Sequence, residues 1–88
     1  QAGKTLAKVV YGADIKKARK HFTKAYSKSS NEISILYELA YGYYLLGTDN
    51  DISISKKYLR HLLTLQEIAH LDKFYKDKAL KLQNKLTS

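Results

Sequence analysis

No proline interrupts these 88 residues, and apolar side chains recur at helical spacing along nearly the whole chain. That pattern constrains the fold more than any other feature. Strand-like alternation is nearly absent, so the chain reads as all-α. Residues 14–28, DIKKARKHFTKAYSK, put Ile15, Ala18, Phe22, Ala25 and Tyr26 on one helical face. Lys17, Lys20, His21, Lys24 and Lys28 fall on the other, which makes an amphipathic helix. Asp14, just after Gly12, is its predicted N-cap.

The next helix is predicted to open at SSNE, where Ser29 and Glu32 have the spacing of a capping box. It runs to Leu46 and stops at Gly47, a residue suited to the left-handed conformation that closes a helix. It is apolar almost all round, and a helix of that kind belongs in the middle of a stack. TDND, residues 48–51, is expected to be a polar interhelix loop that caps the helix after it. ISISKKYLRHLLTLQ then places Ile54, Tyr58, Leu59, Leu62 and Leu65 on one side. Residues 67–86 carry a last stripe of Ile68, Leu71, Tyr75, Ala79, Leu82 and Leu86. With a short helix over residues 4–11, the expectation is about five helices. Short connections make neighbours antiparallel.

Composition narrows the chemistry. The chain has no cysteine, which excludes disulfides, thiolate metal sites and thiol nucleophiles, and leaves cytoplasmic and exported locations equally open. It opens at Gln1 and has no methionine, as expected of a processed or excised piece of a longer protein. No run of apolar residues is long enough to span a bilayer. The net charge of +8 is uneven: residues 1–30 hold eight lysines and arginines against one aspartate. An acidic partner would complement it.

Laid over one another, TLAKVVYGADIKKARKHFTKAYSKSS and ELAYGYYLLGTDNDISISKKYLRHLLTLQE match at intervals. Leu6 and Ala7 align with Leu39 and Ala40, and Val10 with Tyr43. Ala18, Phe22 and Ala25 align with Ser55, Leu59 and Leu62. This pattern resembles the tetratricopeptide repeat, a helix–turn–helix unit of about 34 residues. Small residues let the paired helices approach, and large ones fill the gaps between neighbours. The units are residues 4–30 and 31–66, with 67–86 as the capping helix of a single domain. The repeat's closing proline is replaced by Ser30 in the first unit and falls near Glu67 in the second. The second unit also carries the TDND insertion. A narrower stretch, ILYELAYGYYLLG followed by KKYLRHLL, is similar to the central repeat of the tail-anchored mitochondrial fission adaptors. The hydrophobic tail of that family is not among these residues.

The resemblance implies an interaction module of the scaffold or adaptor kind, with a peptide or helix of another protein laid in the groove between first helices. In that register Tyr37, Tyr41 and Tyr44 point into the groove together with Lys4, Lys8 and Tyr11, while Tyr43 belongs to the core; the equal alternative in so short an array is that the capping helix covers these groove-facing rings and makes them core. Tyrosine suits such a face because it offers a large, stiff contact with one polar atom. The lysines favour an acidic segment or a free carboxylate. Lys17, Lys20, Lys24 and Lys28 form an alternative basic face for nucleic acid or an acidic surface, although no ring is interleaved there to stack bases. Self-association is a third outcome.

No enzyme chemistry is expected. AGKT at residues 2–5 ends like a phosphate-binding loop but lacks the preceding glycine and strand. DNDISIS has alternating oxygen ligands, but Ile54 and Arg60 stand where a calcium loop needs glycine and glutamate. His21, His61 and His70 lack metal-ligand spacing, and no nucleophile is paired with a base. No cofactor is expected.

Overall fold

The computed structural model describes residues 12–87, which form four helices and no strand. These are α1 (Gly12–Lys28), α2 (Ile33–Leu46), α3 (Asp49–Thr64) and α4 (Asp72–Thr87). The helix expected over residues 4–11, with Lys4, Lys8 and Tyr11, lies outside the described residues. No helix among those described is long and apolar enough to cross a membrane.

The apolar helix α2 is the centre of the packing. It contacts α1, α3 and α4, and it buries Ile33, Leu36, Tyr37, Leu39, Ala40 and Tyr43. Gly47 ends it at φ 77° and donates its N–H to the Tyr43 carbonyl at 3.1 Å, the left-handed closure expected from the sequence. Only Gly47 and Thr48 separate α2 from α3, so the two fold back as an antiparallel hairpin. Inside it Leu36, Leu59 and Leu62 are fully buried. Ser55 donates to the Ala40 carbonyl at 2.6 Å, which requires close approach of the two backbones.

Residue pairs fix how the outer helices run. Tyr37 meets Tyr75 with ring centroids 5.7 Å apart, and Tyr44 meets Lys85, so α2 and α4 are parallel. Arg19 pairs with Asp51 at 2.7 Å and Tyr26 stacks on Tyr58 at 5.0 Å, so α1 and α3 are also parallel. Both of these pairs are separated by 32 residues. The described helices are packed about α2, which meets all three others, and α3 packs against α4 as well.

Local expectations about helix ends are corrected. Asp14 lies inside α1 rather than ahead of it. Ser29 does not open α2: its N–H is held by the carbonyls of Ala25 and Tyr26, so it finishes α1. Glu32 takes the N-cap position of α2, with no side-chain capping bond. Of residues 48–51 only Thr48 lies outside a helix, and the capping expected of this segment is present. Thr48 caps α3 in a reciprocal box with Asp51, and Asp49 and Asp51 form the first turn, where carboxylates suit the helix dipole.

The last correction bears on the surface. The expected helix over residues 67–86 begins only at Asp72. The Asp72 carboxylate accepts the N–H groups of Ile68 at 2.8 Å and Ala69 at 2.7 Å. A side chain that satisfies those amides holds the segment in a turn instead of a helix. Ile68 and Leu71 consequently leave the apolar stripe and are 86% and 50% exposed. Phe22 is half-buried, with its ring lying over Gly42, and Leu39 is buried.

Candidate binding face

Tyr37, Tyr41 and Tyr44 share the face of α2 that turns toward α4. The Tyr37 and Tyr41 centroids are 6.2 Å apart and those of Tyr41 and Tyr44 are 5.8 Å apart, so the three rings form one continuous row. Their exposure differs. Tyr41 is 41% exposed, Tyr44 is half-buried and Tyr37 is only 7% exposed. Tyr37 is thus a core ring covered by the last helix, the second of the two expected readings, and not part of an open groove. The cause is α4, which lays Tyr75 and Lys78 over it. Burial pushes the Tyr37 phenol above its ordinary value, and the neighbouring Tyr41 adds to the shift.

What covers one tyrosine supplies the face with cations. Lys78 sits 5.4 Å from the centre of the Tyr37 ring and 5.2 Å from that of Phe74. Lys85 lies 5.3 Å from the Tyr44 ring. The Lys85 ammonium donates a hydrogen bond to the Tyr44 side chain, which raises the Lys85 pKa and favours the charged form. Lysines over ring faces are held by the ring quadrupole while their charge stays in water. Lys78, Lys81 and Lys85, with Tyr37 and Leu82, line a shallow hollow of about 300 Å³. No carboxylate lines it.

These lysines were not among the residues expected from the sequence. Their spacing along residues 67–86 was visible, but nothing in one chain says which helix faces which. Tyr43 is buried as expected, against Phe22 at 5.1 Å and Tyr58 at 5.8 Å.

The basic face of α1 is a separate surface. Lys17, Lys20 and Lys24 line a shallow groove of about 750 Å³ with Lys16, Arg19, Thr23 and Ser27, and Lys28 lies exposed at the end of the helix. This lining shares no residue with the hollow between α2 and α4. Arg19 is tied to the fully buried Asp51. Among the described residues no group of three histidines or carboxylates is placed to hold a metal ion. His61 meets the Asn31 side chain at 3.1 Å, and His21 and His70 are exposed.

No known family model matches the chain, and neither the curated proteins nor the solved structures provide a significant match.

Proposed function

We propose that this chain is a helical-repeat interaction module, similar to tetratricopeptide arrays, that binds an acidic peptide or helix of another protein across α2 and α4. The observation that carries the reading is the row Lys78, Lys81 and Lys85 set beside Tyr41 and Tyr44, with Lys78 and Lys85 placed over tyrosine rings. Stiff aromatic surface supplies apolar contact, and the ammonium row selects carboxylates. The 32-residue offset shared by two side-chain pairs between α1 and α3 supports the repeat reading. Ser55 departs from the alanine usual at that position of the repeat, but it is fully buried and keeps the position small.

An amide NMR titration with a glutamate-rich helical probe peptide tests the proposal. Shifts should concentrate on residues 41–45 and 78–85. Shifts confined to α1 would instead favour its basic face.

That second reading has one observation in its favour: residues 15–28 contain no acid at all. Nucleic acid bound there would lose affinity steeply with salt, by roughly 0.9 log units per log unit of salt for each duplex phosphate contacted. A tyrosine-rich peptide site would respond weakly.

A further inference from the structure

Every exposed residue of α1 between positions 15 and 28 is lysine, histidine, threonine or serine. The apolar residues of that stretch are all partly covered, with Phe22 against Tyr43 and Tyr26 against Tyr58. Lys16, Lys17, Lys20 and Lys24 line one groove of about 750 Å³, so they form a single surface rather than scattered charges. Among the described residues the ion pairs are Arg19 with Asp51 and Lys76 with Glu67, so none of these four lysines has a carboxylate partner. Arg19 lies in the same groove but is tied to Asp51 at 2.7 Å, which fixes the groove against α3. Thr23 and Ser27 donate their hydroxyls to the carbonyls of Arg19 and Lys24 in their own helix. The lysine ammoniums are therefore the donors that the groove offers to a ligand.

We propose that this groove binds the phosphate backbone of a duplex nucleic acid, without sequence preference, through Lys16, Lys20 and Lys24. The site is separate from the face between α2 and α4 and does not rest on that reading. Their linings share no residue, so one chain can hold both ligands. Four-residue steps set the three ammoniums roughly 6 Å apart along about 12 Å of helix. A duplex presents one negative charge per about 1.7 Å of axis, and lysines that neutralise its phosphates release condensed counterions. Reading a base edge needs a forked side chain such as arginine, asparagine or glutamine. Residues 15–28 contain no asparagine or glutamine, and their one arginine is held by Asp51. Contact is thereby restricted to the backbone.

The same surface disfavours three other anionic partners. A protein interface has an apolar centre, and the exposed part of this stretch has no apolar residue. A helix enters a bilayer by its apolar face, and that of α1 is already packed on α2 and α3. Single strands are held by rings that stack on bases, and none lines the groove.

Salt dependence of duplex binding tests the proposal. The probes are two labelled duplexes of unrelated sequence, each about sixteen base pairs or roughly 54 Å of axis. Fluorescence anisotropy should give equal affinities for the two. Plotted as log Kd against log salt, the slope should be about 3, from three contacts at roughly 0.9 each. Lys20→Gln with Lys24→Gln should lower it to about 1. Lys73→Gln with Lys81→Gln on α4 removes the same charge and should leave the slope unchanged. Circular dichroism melts should match the parent in both variants, because all four side chains are exposed. Absence of duplex binding at low salt, a slope that survives the α1 variant, or an equal fall in both variants overturns the inference. So does tighter binding to a single strand, or to phosphatidylserine vesicles at the same phosphate concentration. None of these results bears on the reading of the α2–α4 face.

Discussion

Ser55 Oγ donates a 2.6 Å hydrogen bond to the carbonyl oxygen of Ala40, and neither residue is exposed to solvent. The bond marks where α2 and α3 come closest. Ser55→Ala keeps the space and leaves no orphaned donor, so its cost should stay near the net value of one hydrogen bond, about 1 kcal/mol. Ser55→Leu forces the helices apart and should cost roughly 2–3 kcal/mol or more. Urea denaturation of both variants checks the order. If leucine were tolerated as well as alanine, the close approach would be wrong.

Gly42 lies beneath Phe22. A Cβ built there would sit 2.5 Å from Phe22 Cζ, closer than real contacts allow. In an exposed helix, glycine to alanine gains about 0.5–1 kcal/mol. Here the methyl must displace a ring that rests on Tyr43. Gly42→Ala should therefore destabilise by about 1–2 kcal/mol, as overpacking does. In a Phe22→Leu background the obstruction shrinks, and the same change should become neutral or stabilising. A double-mutant cycle reads this coupling directly. Additive effects would remove Phe22 from that position.

Asp51 performs two tasks at once. It closes the capping box with Thr48 and it binds Arg19 at 2.7 Å, while fully buried. Asp51→Ala loses both and should cost about 2–4 kcal/mol. Asp51→Asn retains an oxygen for the Thr48 amide and hydroxyl, and should lose roughly half as much. Thermal melts of the two variants provide the comparison. Equal losses would mean that the cap contributes little.

Much of the fold was legible in the sequence, and the reasons are local. Period-3.6 stripes marked α1 and α3, and Gly47 announced the end of α2. Tyr43 was assigned to the core from its place in the repeat pattern. The failures came where a polar side chain chose between two neighbouring backbones. Ser29 and Glu32 had the spacing of a capping box, but the Ser29 amide belongs to the end of α1. Asp72 holds the turn before α4 by taking two amides that helical propensity alone would have placed in a helix. The candidate site divided similarly. The tyrosine row follows from helical spacing within α2. Its lysines come from α4, whose parallel approach is a tertiary fact with no local signal. That same approach decides between the open-groove and covered-core readings of Tyr37, in favour of the second.

Alkaline pH should weaken the fold. Burial raises the pKa of the Tyr37 and Tyr58 phenols above their ordinary value of 10.0. The folded state therefore holds these protons more tightly than the unfolded state. Their contribution is complete below the ordinary value and is lost as pH rises through the raised one. Tyr37→Phe and Tyr58→Phe should each flatten the decline in stability above that value. Denaturation at a series of pH values tests this. An unchanged slope in both variants would contradict the burial of these hydroxyls.

The central claim is that the face between α2 and α4, rather than the basic face of α1, recognises an acidic segment. Two charge-matched sets of substitutions separate them most directly. One set changes Lys78, Lys81 and Lys85 to Gln, and the other changes Lys17, Lys20 and Lys24 to Gln. Each removes three charges, so any effect of net charge is the same in both. Anisotropy titration with the glutamate-rich probe at constant ionic strength should show at least a tenfold loss of affinity for the first set, on the scale of losing a central contact. For the second set the loss should be no more than about twofold, as expected for exposed charges lying away from the contact surface. Equal losses, or a larger loss from the α1 substitutions, would contradict the account.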